Sequence, residues 1–201
     1  MPRIEPFRAL RYDPERVELS NVIAPPYDVV SREERGTLYD RDPHNAVRLE
    51  LTRHVEEEAD TDYSQVRTLL DKWRSSGVLQ RDPAPAIYVL RQRFEAPDGS
   101  SLERDGFFAS LRLEDYATRA VRPHERTLAG PKADRLRMMR ATRANLSPIF
   151  LLYEDREEAL AGILAAAFES PGVESASGVA GVTHSLAVLD DPAQIQRLSH
   201  F

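Results

Sequence analysis

A cationic stretch between Arg119 and Arg143 constrains this chain more than any other feature of its sequence. The stretch, RAVRPHERTLAGPKADRLRMMRATR, holds eight basic residues against two acidic ones, although the whole chain has a net charge of −6. The remaining segments together are therefore strongly acidic. A cationic segment in an acidic protein must either pair with carboxylates of its own chain or bind an anion from outside. The same stretch holds the densest mixture of His, Glu, Thr, Lys, Asp and Arg, which favours an anion or phosphate site.

The composition restricts the classes of protein to which the chain can belong. Its 201 residues, 41% of them hydrophobic, can bury one sizeable core or two small ones. No apolar run approaches the roughly 18 to 20 residues of a membrane span, and no hydrophobic signal region begins the chain, so we predict a cytoplasmic protein outside the membrane. The absence of cysteine excludes disulfides, thiolate nucleophiles and cysteine-based zinc sites. The acidic balance argues against extended nucleic acid as a partner.

Local patterns predict most of the secondary structure. Ser31 and Glu34 form a capping box for a short helix over 32–39. Apolar residues at helical spacing predict an amphipathic helix over 63–76, which Gly77 ends. Further predicted elements are a half-buried strand over 45–51, an acidic mobile loop over 54–62, a hairpin with Asp98-Gly99 as its turn, a buried strand in SPIFLLYED, a helix over 156–168, two strands in GVESASGVAGVTHSLAVLDD, and a helix starting at Asp191.

These elements predict an α+β fold with a mixed, largely antiparallel sheet and flanking helices. Hairpins dominate over regular β-α-β alternation, which is the pattern of that fold class. We expect residues 1–201 to form a single α+β region, with an internal boundary near 80–85.

The segment VIAPPYDVV predicts that two polar side chains are held at a fixed place. A residue that precedes proline is driven to an extended conformation, so the Ala24-Pro25-Pro26 segment is stiff. Tyr27 and Asp28 follow it directly. They either contribute to a site or simply close the turn after the prolines.

Gly130 and Pro131 predict the start of a helix over 132–145 within the cationic stretch. Such a helix directs free N–H groups and the positive end of its dipole at whatever lies before it. We therefore predict phosphate-binding residues in and before its first turns, namely Arg122, Arg126, Thr127, Lys132 and Arg135. The predicted candidates for proton transfer are His124, Glu125 and Asp28, with Tyr27 and Asp134 as further members of the site.

Two interpretations of the cationic stretch stay open at this point. Arginine-rich helices commonly pair with acidic surface, and the chain has 33 Asp and Glu residues to offer. The other interpretation is the anion site. A zinc site is not expected, because His124-Glu125 would need a second histidine at the position of Leu128.

The chain resembles the domain of unknown function 1015 family of bacteria and archaea. The resemblance covers nearly the whole chain and is carried by PFRALRYDP, VIAPPYDVVS and RPHERTLAGPKADRLRMMRATRANLSPIFLLY. Members of that family are about twice this length and continue with an Asp-Gly-His-His-Arg-Tyr segment that this sequence lacks. That segment is similar to one in the ParB-like superfamily, which includes a free-serine kinase. The resemblance therefore implies a phosphate-handling ancestry and an N-terminal portion of a longer architecture, without a role for any residue.

We expect this chain to bind a small anionic or phosphorylated ligand and to belong to a small-molecule phosphotransferase. ATP or ADP with magnesium is the corresponding cofactor, because transferring phosphoryl groups develop charge that metals neutralise. The alternative is a non-catalytic binding or regulatory module whose basic helix recognises an acidic partner. A homo-oligomer is compatible with either.

Overall fold

A computed structural model describes residues 3–51, 62–124, 128–155 and 158–199. The described chain folds into helices and antiparallel strands, which confirms the α+β prediction. The elements in chain order are β1 (Ile4–Glu5), β2 (Leu10–Tyr12), α1 (Leu19–Val22), α2 (Arg32–Arg41), α3 (Val47–Glu50), α4 (Tyr63–Ser75), β3 (Leu79–Arg81), β4 (Ile87–Glu95), β5 (Ser101–Phe108), β6 (Ser110–Leu111), α5 (Ala129–Thr142), α6 (Ala161–Ala167), β7 (Glu174–Ser177), β8 (Thr183–Leu189) and α7 (Pro192–Ser199).

The chain divides into two compact units. The first, which we call the sheet unit, comprises residues 1–11, 81–124 and 152–201. The second, the helical unit, comprises residues 12–80 and 125–151. None of the described helices is long and apolar enough to cross a membrane.

A four-stranded antiparallel sheet with the order β5-β4-β8-β7 forms the centre of the sheet unit. Alternate residues on one face, including Ile87 and Val89 of β4, pack against Leu164 of α6 and Leu198 of α7. The β4–β5 hairpin turns at Gly99, whose φ of 81° suits glycine, as predicted. The two predicted C-terminal strands are confirmed as β7 and β8, and the last helix is confirmed as α7.

A partly buried group of charges links β2, Asp82 and β7 in the sheet unit. Arg11 Nε lies 2.9 Å from Asp82 Oδ2, and Arg11 Nη1 lies 2.7 Å from Glu174. The hydroxyl of Tyr88 also donates to Asp82, at 2.6 Å. Burial and this bond to Asp82 raise the pKa of Tyr88 to about 12. Because every charge in the group has a partner, we interpret it as structural.

The helical unit is built on α4, whose predicted amphipathic pattern is confirmed. Tyr63, Val66, Leu70 and Trp73 are buried on one side of the helix. The capping box of Ser31 and Glu34 at the start of α2 is also confirmed, with both hydrogen bonds present. Both signals lie within a single helix, so they can be recognised from the sequence.

The predicted strand over 45–51 is wrong, because these residues form the short helix α3. The Asn45 side chain donates to the carbonyls of Asn21 and Ile23 and accepts from the Val47 N–H. These bonds hold a turn at Asn45. Val47 and Leu49 are buried in the helix, as they would be in a strand, so the alternation of apolar residues did not distinguish the two structures.

The predicted buried strand in SPIFLLYED is also wrong. Residues 147–155 form no strand, and Ile149 and Leu152 are largely exposed. An apolar run becomes a strand only if a neighbour supplies the ladder of hydrogen bonds, and no described strand does so. The predicted helix over 156–168 is shorter, at Ala161–Ala167, while positions 156 and 157 lie outside the described residues. Most of the predicted loop over 54–62 does too.

Candidate functional site

The two prolines of APPYD place Tyr27 and Asp28 on a single tight turn. Pro26 is extended, with ψ of 140°, and a 3-10 turn then covers Tyr27–Val29. Asp28 is exposed, whereas Tyr27 is half-buried beneath a guanidinium group. The segment therefore presents the Asp28 carboxylate to solvent beside the Tyr27 ring, whereas the sequence predicted only that the two residues are held at a fixed place.

Helix α5 begins three residues earlier than predicted, at Ala129. Leu128 precedes it and supplies no side-chain cap, and no acidic residue lies in the first turn. Pro131 falls within that turn, where a missing N–H costs nothing. The helix ends at Arg143, whose φ of 54° is left-handed. The start of α5 therefore has the positive end of the helix dipole without an acidic side chain in its own first turn.

The inward side of α5 carries a buried acid. Asp134, Met138 and Thr142 are buried at intervals of four residues, which is one side of a helix. Asp134 is only 2% exposed. Tyr63 of α4 donates its hydroxyl to the Asp134 carboxylate at 2.8 Å, and Arg137 Nη2 lies 2.9 Å from Oδ1.

Arg135 is held from several directions at once. Its Nη2 lies 2.6 Å from Asp134 Oδ2, its Nε lies 3.1 Å from the same oxygen, and its guanidinium carbon lies 4.1 Å from the centre of the Tyr27 ring. Burial acts to lower the pKa of Arg135, but the hydrogen bond to Asp134 and the electrostatic interactions with Tyr63, Asp134 and Tyr27 together outweigh it, so the pKa is raised. Arg135 is therefore a permanent cation in a fixed orientation.

The third guanidinium nitrogen of Arg135, Nη1, takes no part in these hydrogen bonds. Nη1 is buried and has no hydrogen-bond partner among the described residues. Its nearest carboxylate oxygen in an ion pair is Glu50 Oε2, at 3.9 Å, which is too long for a hydrogen bond. A buried donor without a partner costs stability, so its presence calls for an explanation.

Glu50 is the residue of this cluster that sequence reasoning missed. It ends α3, and Ser147 donates a hydrogen bond of 2.8 Å to Oε2. Burial raises the pKa of Glu50, the Ser147 bond and Arg135 oppose this, and the charge of Asp28 adds to the rise. The segment had been predicted as a strand, so Glu50 was assigned to its exposed face. No pattern near position 50 points to residues as distant in sequence as Ser147.

Replacing Glu50 with glutamine is expected to stabilise the protein at neutral pH. A carboxyl whose folded pKa is raised costs no stability below its ordinary value of 4.5 and costs its full amount above the raised value. Glutamine removes that cost. Chemical denaturation followed by Trp73 fluorescence, at about pH 4 and about pH 8, should show the variant gaining on the wild type as pH rises.

The exposed Glu15 provides the matched control for this test. Glu15→Gln should show no such pH-dependent gain. A wild type that became more stable than Glu50→Gln as pH rose would contradict the raised pKa.

The predicted site residues fall into three groups. Tyr27, Asp28, Lys132, Asp134 and Arg135 all belong to the helical unit, and all but Lys132 contact or influence the cluster around Arg135. Arg122 and His124 are exposed and belong to the sheet unit. Glu125, Arg126 and Thr127 lie outside the described residues.

The surplus positive charge of the stretch divides between two sides of α5. Arg135 and Arg137 pair with Asp134 on the inward side. Lys132, Arg140 and Arg143 are exposed and make no ion pair within the described ranges. No group of three or more acidic or histidine side chains that could hold a metal is found among the described residues.

The chain belongs to a family of proteins of unknown function, DUF1015, whose sequence profile matches residues 4–201. This confirms the resemblance drawn from the motifs. No curated protein and no solved structure matches the chain.

Proposed function

We propose that this member of the DUF1015 family binds a small phosphorylated or otherwise anionic ligand in its helical unit, beside Arg135. The observation that carries the proposal is the unpaired Nη1 of Arg135, a donor held rigidly in a cation whose other contacts are complete. Guanidinium groups fixed in this way recognise phosphate and carboxylate oxygens with little loss of entropy on binding.

Two further features of the helical unit favour an anion. The first turn of α5 has no acidic residue and no side-chain cap, so its dipole is not offset by the helix itself. Lys132 lies in that turn, three residues before Arg135, and is exposed without an ion pair in the described part of the chain. A ligand oxygen that reached Nη1 would thus meet cations on the same stretch of helix.

The carboxylates beside Arg135 suit a ligand that also carries a proton to donate. Asp28 is exposed and influences Glu50 electrostatically. In a phosphotransferase, a substrate hydroxyl would lose its proton to Asp28 while its oxygen attacks the terminal phosphorus of ATP. The bond from that phosphorus to the bridging oxygen would break, and ADP would leave with the electron pair. Lys132 and Arg135 would orient the phosphate.

Magnesium is compatible with these residues when a nucleotide is the ligand. Mg²⁺ is commonly held by one or two carboxylates together with the phosphates of its nucleotide, and Asp28 and Glu50 are of that kind. Magnesium bound in this way would neutralise phosphate charge near the two carboxylates.

The proposal predicts a ligand-dependent rise in melting temperature. Thermal unfolding should be followed by the fluorescence of Trp73, the single tryptophan, which lies in the helical unit. With Mg·ATP, Mg·ADP or inorganic phosphate at about 100 times Kd, we expect Tm to rise by about 5 °C. Arg135→Lys keeps the charge but loses the Nη1 donor, and Lys132→Ala removes an exposed cation, so each should reduce the rise by more than half.

Arg140 supplies the matched control, because it is an exposed cation of the same helix outside the Arg135 cluster. Arg140→Ala should leave the rise unchanged. A wild type whose Tm does not respond to any of the three ligands would reject the proposed function.

A further inference from the structure

The outward side of helix α5 carries four residues that the proposed ligand site does not use. These four exposed residues are Leu136, Met139, Arg140 and Arg143. Each lies within one helical turn of the next, so they share one side of the helix. They lie away from the buried side marked by Asp134 and its neighbours along the helix. We call these four residues the outer face of α5.

The two arginines of the outer face are not neutralised by the protein. Neither Arg140 nor Arg143 makes an ion pair or a side-chain hydrogen bond within the described residues. Arg137, one turn before Arg140, differs from them because it forms an ion pair with Asp134. The chain has many carboxylates, and these arginines nevertheless remain available to an external one.

Apolar side chains stand among these cations. Leu136 is 46% exposed and Met139 is 43% exposed, whereas Met138 of the same helix is buried. Arginine and methionine are both enriched in protein–protein interfaces relative to the rest of the surface. Methionine adds an adaptable contact, because its side chain has many conformations of similar energy.

The backbone at Arg143 provides an independent observation. This residue ends α5 with φ of 54°, a left-handed conformation in which glycine is the favoured residue. An arginine there is less stable than glycine would be. Helices commonly end with a left-handed residue, and Arg119 and Glu158 also have positive φ, so this feature serves here as the basis of a glycine substitution.

We infer that the outer face of α5 binds an acidic, amphipathic polypeptide segment. In such a complex Leu136 and Met139 contact the apolar side of the segment, while Arg140 and Arg143 pair with its carboxylates. Lys132 of the proposed ligand site lies one turn before Leu136 on the same side of the helix, but none of the four residues of the outer face belongs to that site, so different substitutions test the two.

Other occupants fit the outer face less well. Nucleic acid requires a longer run of cations, without apolar residues among them. A bilayer requires a broad apolar face, and two half-exposed side chains offer little area for insertion. A second copy that placed α5 against α5 would bring the arginines of both helices together, which is unfavourable for a symmetric contact.

A synthetic peptide can test the inference. The probe is a fluorescein-labelled helical peptide of about 16 residues, with leucines on one side and flanking glutamates, measured by fluorescence anisotropy. We expect saturable binding that weakens as salt increases. Arg140→Glu with Arg143→Glu should weaken it at least tenfold, and Leu136→Ser with Met139→Ser should do the same.

Two variants separate loss of binding from loss of folding. Arg143→Gly removes one charge and relieves the backbone, so it should raise Tm by about 2 °C and still weaken the peptide. Arg32→Glu with Arg41→Glu makes the same change in net charge on α2, where both arginines are exposed, and should leave binding unchanged. The same peptide with lysine in place of glutamate should bind only the Arg140→Glu, Arg143→Glu protein.

Several outcomes would overturn the inference. One is equal binding of the acidic peptide to the wild type and to the charge-reversed variant. Another is failure of the lysine peptide to bind that variant. Self-association of the wild type, or its binding to phosphatidylserine vesicles, would assign the face to those occupants if the charge reversal abolished it. Unchanged Tm shifts with Mg·ATP in the charge-reversed variant would show that the ligand site is unaffected.

Discussion

Asp134→Asn is expected to lower the free energy of unfolding of the helical unit by about 3 kcal/mol, because it leaves Arg135 in a buried position without its counter-charge. Asp134 is 2% exposed and accepts bonds from Tyr63, Arg135 and Arg137. Asparagine has nearly the same shape as aspartate, so the substitution removes the charge and leaves the packing unchanged. Its amide can accept through one oxygen only, which leaves further donors unsatisfied.

The measurement is urea denaturation followed by Trp73 fluorescence, since that residue belongs to the same unit. Arg137→Gln is the matched control, because its side chain is 46% exposed and pairs with the same acid. Because the Arg137 guanidinium is half exposed to water and Arg135 still pairs with Asp134, this variant should lose less stability than Asp134→Asn. A loss of less than about 1 kcal/mol in Asp134→Asn would show that Arg135 is not dependent on this carboxylate.

A double-mutant cycle extends the same test. Tyr63→Phe removes the hydroxyl that donates to Asp134. The two single changes should not add, because each breaks one shared network; we expect a coupling of about 1 kcal/mol.

Asp82→Asn is expected to lower the free energy of unfolding of the sheet unit by about 2 to 3 kcal/mol. The carboxylate accepts three hydrogen bonds from Arg11 and one from Tyr88, and its side chain is 13% exposed. The substitution leaves the Arg11 cation with Glu174 alone. Hydrogen exchange of the β4 backbone amides reports the stability of this unit, and their protection should fall accordingly.

The same carboxylate predicts how the sheet unit responds to acid. Burial acts to raise the pKa of Asp82, but the bonds from Arg11 and Tyr88 outweigh it, and the folded pKa lies below the ordinary 3.8. A lowered pKa contributes stability that is present above 3.8 and is lost as pH falls through the folded value. As the pH falls below 3.8, the wild type should therefore lose more free energy of unfolding than Asp82→Asn does.

Glu5 provides the control for both measurements. It pairs with Arg3 in the same unit, and both side chains are more than half exposed. Glu5→Gln should change stability by less than about 0.5 kcal/mol. An effect of Asp82→Asn no larger than that of Glu5→Gln would contradict the structural role of the Arg11–Asp82 pair.

The errors in the sequence predictions are as informative as the successes. The strand predicted over 45–51 and the strand predicted in SPIFLLYED both rested on apolar patterns. Such patterns report which side chains prefer to be buried, and they leave open what buries them. At Asn45 a side chain bonded to the backbone of a distant segment decided for a helix. At Ile149 no described strand was there to pair.

The candidate site shows the same division. The stiffness of APPYD and the charge of the stretch from Arg119 are evident in the sequence, and they led to Tyr27, Asp28, Lys132 and Arg135. The sequence did not show that Asp134 is the buried partner of Arg135. The two residues are adjacent on the helix, and adjacency alone does not say which of them points inward. Glu50 was not predicted either, since it enters the cluster through contacts with residues far along the chain.

The order of residues by itself determined the features that depend on a few neighbouring positions, such as the capping box at Ser31, the turn at Gly99 and the amphipathic side of α4. The cap and the turn are held by hydrogen bonds between neighbouring residues, and the apolar spacing of α4 lies within one helix. No distant residue is needed to recognise any of the three. Only the tertiary structure decided which cations of α5 meet a carboxylate and which remain exposed. The pairs themselves are local, because Arg135 and Arg137 both meet Asp134 of the same helix. The side of α5 on which they form depends on contacts between distant segments, such as the bond from Tyr63 to Asp134 across 71 residues, and such contacts form only when the whole unit packs.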